Sequence, residues 1–466
     1  MKFLNKALSQ ISYHKYLRCD WKYWQTQNLY SFVDFSYLKD IFEIIHGSVQ
    51  TKAYSVQKTP IPYIRIGDMS YKFGIQDEKI IYLNDDADIS PERVLKEEDL
   101  VLATIGTVGK IGLAKDFVGG THSNNTVVLR KISERSNTAF YEKLFQSDLY
   151  ANYFMGVVSQ KAQPNLQQYD LENIRIPNIS EDEIKKSIIA TSPFIEKIKP
   201  LQKNIISIQS IIDSVLKHEF EFNYDKFEEL KKNTQFVSSV VSFANNSDLR
   251  FSAKFHRPAG KFVLQELNRI TTKKIKHYLA EPIVLGASVS PSDYDESGEY
   301  QYLSMATIKN WEFDNETAQY VSNSYSDSKA EKTIKGGDII LARSGEGTIG
   351  KVALIEQEDI KAVFADFTMR IRLKNYNLKF AYYYMRSMYF QYLIEIYKKG
   401  LGNNTNIFPI VVREFPLPDL SLEEQQQVVN EIQAEIDKQN VIQQRILSLR
   451  REIDTIIENA IMSSKN

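Results

Sequence analysis

The side chains best equipped for chemistry fall in two kinds of short segment. The first is GEGTIGKV, Gly345 to Val352, which approaches the phosphate-binding pattern of two glycines with four residues between them, then Lys and a hydroxyl residue. Val352 stands where the magnesium-holding hydroxyl belongs, and the related stretch IGTVGKI places only two residues between Gly106 and Gly109. A loop that cannot close in one copy reads as a glycine-rich hairpin turn rather than a nucleotide site. The second kind is rich in amides and cations. SQKAQPNLQQY offers Lys161, Gln163, Asn165 and Gln167, and KKGLGNNTNIF offers Lys398, Lys399, Asn403, Asn404 and Asn406. Asn and Gln can bond adenine N6 and N7 together, and Lys or Arg can bond guanine or phosphate. The hairpin turns add Thr104, Thr107 and Lys110 in one place and Arg343, Ser344, Glu346 and Lys351 in another, with Glu346 able to accept from cytosine. Any one of these residues alone reads as a solvated loop; matching loops in two places favour a nucleic-acid surface.

Catalytic constellations are not legible. The Asn or Asp, Pro-Pro, aromatic signature of adenine methylation is missing, because the chain contains no Pro-Pro, and no glycine-rich AdoMet loop or paired-carboxylate nuclease pattern stands out. His122 and His218 are isolated and read as hydrogen-bonded core or surface residues rather than general bases. Six histidines without paired spacing give no familiar metal site, so no metal and no cofactor are expected. The single cysteine, Cys19, cannot form an internal disulfide, which fits the cytosol. MKFLNKALSQ does not read as a signal peptide, and no run approaches a membrane span. With 58 Lys and Arg against 59 Asp and Glu, any basic surface must be local.

The elements that must position these loops are written twice. DLVLATIG from Asp99 matches DIILARSG from Asp338, 239 positions on, and TVGKIGL from Thr107 matches TIGKVAL from Thr348, 241 positions on. YIRIGDM matches YLSMATI upstream, and YLRCDWKYW loosely matches DLRFSAKFH. Downstream, RIPNISEDE matches PLPDLSLEE, and IDSVL from Ile212 matches IDTII from Ile453. So many blocks in constant order mark an internal duplication with pseudo-two-fold character. In each copy Leu100 to Leu102 or Ile339 to Leu341 reads as a strand, a glycine turn follows, and Ser180 with Glu183 or Ser421 with Glu424 writes a helix start.

Both helices carry heptads. Phe194, Ile198, Leu201, Ile205, Ile208, Ile212 and Val215 alternate spacings of four and three. Val429, Ile432, Ile436, Gln439, Gln443, Ile446, Leu449, Ile453, Ile456 and Ala460 continue the rhythm with two glutamines, expected to be buried and to fix register. Pro193 and Pro200 predict a short leading helix followed by a kinked, longer one.

Two copies of the strand-turn block, each followed by an LPDLSLEEQ-type helix start and a heptad helix, resemble the DNA-specificity subunit of type I restriction-modification enzymes. The second copy is the closer match; the first has Glu98 where the pattern prefers glycine. The resemblance implies a mixed α/β (α+β) chain of two pseudo-symmetric target-recognition domains separated by two long helices in an antiparallel coiled coil. The expected division is domain one at 1–178, spacer helix one at 179–222, a linker at 223–248, domain two at 249–419 and spacer helix two at 420–462. It also implies a non-catalytic, cytoplasmic subunit that binds a bipartite sequence in double-stranded DNA, docks methylase subunits, two per chain, and meets a translocating restriction subunit through the complex. A stand-alone methylase or nuclease and an architectural coiled-coil protein are the alternatives.

Overall fold

The computed structural model describes Tyr23, Thr26 and residues 34–463, except 51–53, 56–57, 78–79, 134–136, 159–163, 234, 238, 242–249, 251, 309–310, 316–317, 346 and 401–403. Cys19, most of the YLRCDWKYW block, Lys161, Gln163, Glu346 and Asn403 therefore lie outside the described residues. The chain divides into two compact units, Met1–Asn204 with Ile442–Asn466, and Ile205–Val441.

In the first unit an antiparallel sheet has the order Phe42–His46, Thr126–Lys131, Leu100–Ala103, Ile111–Leu113. Leu100, Val101, Leu102 and Ala103 are all fully buried, which is why this strand reads as a continuous apolar run rather than an alternation. A second sheet sets Pro62–Ile64 parallel to Thr121–His122 and antiparallel to Ile81–Leu83. Helices Thr138–Gln146 and Asp148–Val157 follow, with aromatic cores built on Phe140, Phe145, Tyr150 and Phe154.

The second unit repeats this plan. Its antiparallel sheet runs Val284–Leu285, Thr368–Ile371, Ile339–Ala342, Val352–Leu354, and Tyr300–Leu303 lies parallel to Ala362–Phe364. Helices Leu378–Arg386 and Met388–Tyr397 follow. The duplication in the sequence is thus a duplication of topology.

The motif aspartates are structural. Asp99 is buried and accepts from Arg130 Nε at 2.9 Å and Nη2 at 2.7 Å, and from Lys96 N at 2.8 Å. Asp338 is held identically by Arg372, at 2.6 and 2.7 Å, and by Lys335 N at 2.9 Å. Arg130 lies on strand Thr126–Lys131 and Arg372 directly follows strand Thr368–Ile371, each beside its sheet's edge strand, and the pKa of each is raised by the carboxylate it grips. Gly337 takes a φ of +85°, whereas Glu98 in the first copy is not among the described residues with positive φ, so only the second copy needs glycine there.

The helices depart from expectation. Glu181–Lys203 runs unbroken through Pro193 and Pro200, both exposed on its outer face, and stops only at Asn204; a shorter helix, Ile208–Glu219, begins after Ser207. The order of lengths is the reverse of the short-then-long arrangement expected. What stops the first helix is the run Asn204 to Ser207, where Ser207 caps the next helix through its hydroxyl. Helix Tyr224–Lys232 occupies part of the segment read as linker. The last helix, Leu422–Ser463, opens with a capping box, Ser421 N to Glu424 Oε2 at 2.8 Å and Glu424 N to Ser421 Oγ at 3.2 Å.

Each unit is completed by a helical segment from the other repeat. In the second unit Ile211, Ile212, Val215 and Leu216 of helix Ile208–Glu219 join the core. Gln209 Nε2 donates to Arg386 O at 2.8 Å, and Met388 N donates to Asp213 Oδ1 at 2.7 Å. In the first unit the end of the last helix buries Ile446, Leu449, Ile453, Ile457 and Ala460. Arg450 Nη1 donates to Gln146 Oε1 at 3.0 Å, and Lys72 pairs with Asp454 at 3.3 Å and Asp148 at 2.6 Å. Gln209 and Arg450, and Asp213 and Asp454, are equivalent positions 241 apart, so the same helix face is tied down in both units, through different partners. Gln439 is buried, as its heptad position predicts, and accepts from Ile206 N at 2.9 Å; Gln443 is exposed, although Ile446 and Leu449, the next residues of the same series, are buried.

Candidate nucleic-acid interface

The motif turn and the polar loop far downstream come together in both units. In the first, Gly106 N donates to Pro164 O at 2.8 Å and Leu166 N to Thr104 O at 2.8 Å, bridging Ile105 and Asn165. In the second, Gly345 N donates to Thr405 O at 3.3 Å and Ile407 N to Arg343 O at 2.9 Å, bridging Ser344 and Asn406. Gly106, Gly109, Gly345 and Gly350 all hold φ between +83° and +91°, the left-handed backbone that lets the turn fold back on the strand. The matching loops singled out in the sequence are therefore one surface feature per unit.

Within that feature the named residues have different surroundings. Thr104 and Ser344 are buried beneath the turn, and Thr104 N and Ile105 N both donate to Asn125 O. Thr107 is exposed. Lys110 reaches Ile66 O at 3.3 Å and lies 5.7 Å from the Tyr71 ring centre; Lys351 lies 5.9 Å from that of Trp311. Gln167 is half-buried at the start of helix Gln168–Glu172. Arg343 is fixed from three sides: Nε donates to Asp366 O at 2.8 Å, Nη1 to Asn406 Oδ1 at 3.2 Å, and its guanidinium lies 5.9 Å from the Phe408 ring centre. Asn406 Nδ2 in turn donates to Asn404 O at 3.1 Å. Lys399 and Asn406 exchange a pair of backbone bonds. Lys398 is mostly buried and pairs with Glu395 at 2.6 Å. Exposed Asn404, Phe367, Phe408 and Ile410 complete the surface.

The sequence reading passed over the segment beneath each turn. Thr126 Oγ1 donates to Ser123 O and Thr368 Oγ1 to Ala365 O, which aligns THSNNT from Thr121 with VFADFT from Val363, 242 positions on. The contrast between polar and apolar residues in an otherwise matched pair was the available signal. Among the described residues no group of three or more His, Cys, Asp or Glu could hold a metal ion, and no helix is long and apolar enough to cross a membrane.

Each unit thus carries a matched sheet and a matched loop surface. The chain belongs to the type I restriction modification DNA specificity domain family, whose model matches residues 31–221 and 282–449. It is the non-catalytic DNA-recognition subunit of such a system, with DNA and methylase subunits as its partners. No curated protein matches the sequence. Among solved structures it is similar to a type I restriction-modification system S subunit from M. genitalium, at 12% identity over 93% of this chain and 97% of that one, with a TM-score of 0.36. It is also similar to an HsdS subunit from Thermoanaerobacter tengcongensis, at 15% identity over 92% and 97% of the two chains, with a TM-score of 0.31.

Proposed function

We propose that each unit reads one half of a split DNA sequence through the surface where its motif turn meets its polar loop. The observation that carries this reading is the repeated backbone zipper, Gly106 to Pro164 and Gly345 to Thr405, which presents an amide- and cation-rich loop in the same way twice. Thr107, Lys110, Asn165 and Gln167 serve one half, with Lys161 and Gln163 from the same loop. Arg343, Lys351, Lys398, Lys399, Asn404 and Asn406 serve the other, with Glu346 and Asn403. Thr104 and Ser344 act from below, shaping the turns that carry the reading side chains.

The two helical segments form an antiparallel coiled-coil spacer that fixes the gap between half-sequences, and they offer two pseudo-equivalent docking surfaces to two methylase subunits. The heptad spacing of both stripes, and the bond from Ile206 N to Gln439 Oε1 that ties the first helical segment to the last helix, support this part of the reading. A translocating restriction subunit joins through the assembled complex, in the cytoplasm. Modified-base sequencing of the host genome with and without this gene tests the whole: a split methylated motif that disappears with the gene is expected, and an unbroken motif would sink it.

A further inference from the structure

The first unit has a groove of about 650 Å³ lined by Tyr54, Tyr63, Arg65, Ser123, Asn124 and Asn125. It adjoins the motif turn, since Ile66 on its wall accepts from Lys110 Nζ and Asn125 O accepts from Thr104 N. Arg65 is held by buried Asp68, Nη2 to Oδ1 at 2.8 Å and Nε to Oδ2 at 3.0 Å, so two donors of its fork are already committed. Asn124 is exposed, and Ser123 is 6% exposed with an Oγ that has no hydrogen-bond partner.

The twin unit shows that the scaffold does not require these polar groups. At the positions of Thr121, His122 and Ser123 it carries Val363, Phe364 and Ala365, all buried, on strands paired in the same parallel register. An unpaired buried hydroxyl costs stability, so its presence in only one copy, on a residue that lines the groove, sets this wall apart from its twin by something other than the needs of the fold. The amides of Asn124 and Asn125 have the donor and acceptor pair that matches adenine N6 and N7.

We propose that this groove is the specificity-determining pocket of the first domain, with Asn124 and Asn125 reading an adenine edge in the major groove and Ser123 completing the contact. The proposal rests on the reading that each unit recognises one half-sequence. It also assigns the two halves different chemistry, because Asp366 and exposed Phe367 replace the two asparagines in the second unit.

The test uses the full chain assembled with its methylase subunits and duplex DNA carrying the split motif found by genome methylation. Asn124→Ala with Asn125→Ala should weaken binding about 5- to 150-fold, the range of one good bidentate base contact. Discrimination should relax in one half only. Replacing adenines of that half singly by 7-deazaadenine should weaken the unaltered protein at one position and have no further effect in the double variant. Ser123→Ala, chosen because it should fold, should also lower cognate affinity while raising or preserving the melting temperature. Unchanged discrimination in both halves, with Ser123→Ala merely stabilising, would overturn the pocket. Binding by the unaltered protein that ignores changes in either half would instead overturn the half-site reading beneath it.

Discussion

Asp338 and His122 show how differently a buried polar group can be treated. Asp338 has a bidentate arginine and a backbone donor, and removing the carboxylate leaves Arg372 paired with Glu281 alone and the Lys335 N–H without its acceptor. Asp338→Ala is expected to cost about 1.5–3 kcal/mol of stability, measured by denaturant unfolding. His122 has only Thr126 Oγ1 at 3.0 Å; its Nε2 is buried and unpartnered, and burial with nearby Arg93 lowers its pKa to about 4. Between the unfolded value near 6.5 and about 4 the unfolded chain binds the extra proton. The stability of neutral His122 is therefore complete above about pH 6.5 and falls away as pH drops toward 4, by about 3 kcal/mol in all. His122→Phe, the residue type at the twin position, should abolish that part of the acid sensitivity in unfolding curves taken at pH 7.5 and 4.5. On the proposed DNA face, Lys398→Ala with Lys399→Ala should weaken binding to all sequences and flatten its salt dependence. With both ends of the Asn406 amide committed to Arg343 and Asn404 O, the exposed Asn404 is the amide placed to meet a base, and Asn404→Ala should cost about 1–3 kcal/mol on the cognate site, read by titration against matched and mismatched duplexes. Local chemistry was partly legible: the donors and acceptors could be named, but not that Arg343 spends two of its donors on Asp366 and Asn406.

Strands and turns were legible where local pattern and burial agree. Leu100 to Leu102 and Ile339 to Leu341 announced themselves as apolar runs, and the following glycines marked turns whose φ only glycine adopts easily. The helices were legible as to start and stripe, because a capping serine and a heptad are local. Their ends were not. Proline loses one backbone bond and crowds the carbonyl four residues back, a local cost that the rest of this 23-residue helix outweighs, so Pro193 and Pro200 do not end it. The heptad placed both glutamines on one stripe, but Gln439 is buried and Gln443 is not, because burial depends on what faces each turn and not on spacing alone. Gln439→Ala should therefore destabilise the chain by about 1 kcal/mol or more through the orphaned Ile206 N–H, while Gln443→Ala should leave the unfolding midpoint within error.

For the whole molecule, duplication was visible in sequence, but the pairing of each unit with a helical segment of the other repeat was not, since it depends on contacts between residues hundreds of positions apart. If reading is modular, exchanging residues 249–419 for the equivalent domain of a relative should change one half of the recognised sequence and leave the other half and the gap unchanged. Methylation mapping of the hybrid checks this, and a change in both halves would refute modularity. The exchanged helix ends have a consequence for synthesis. A ribosome releases the chain from its N-terminus, yet Arg450 and the apolar stripe from Ile446 to Ala460 that complete the first unit emerge last. The second unit closes with Val441, so the domain born first is finished second. A chain truncated after Val441 should leave the second unit protected and the first open to protease, the opposite of what the position of the cut would suggest.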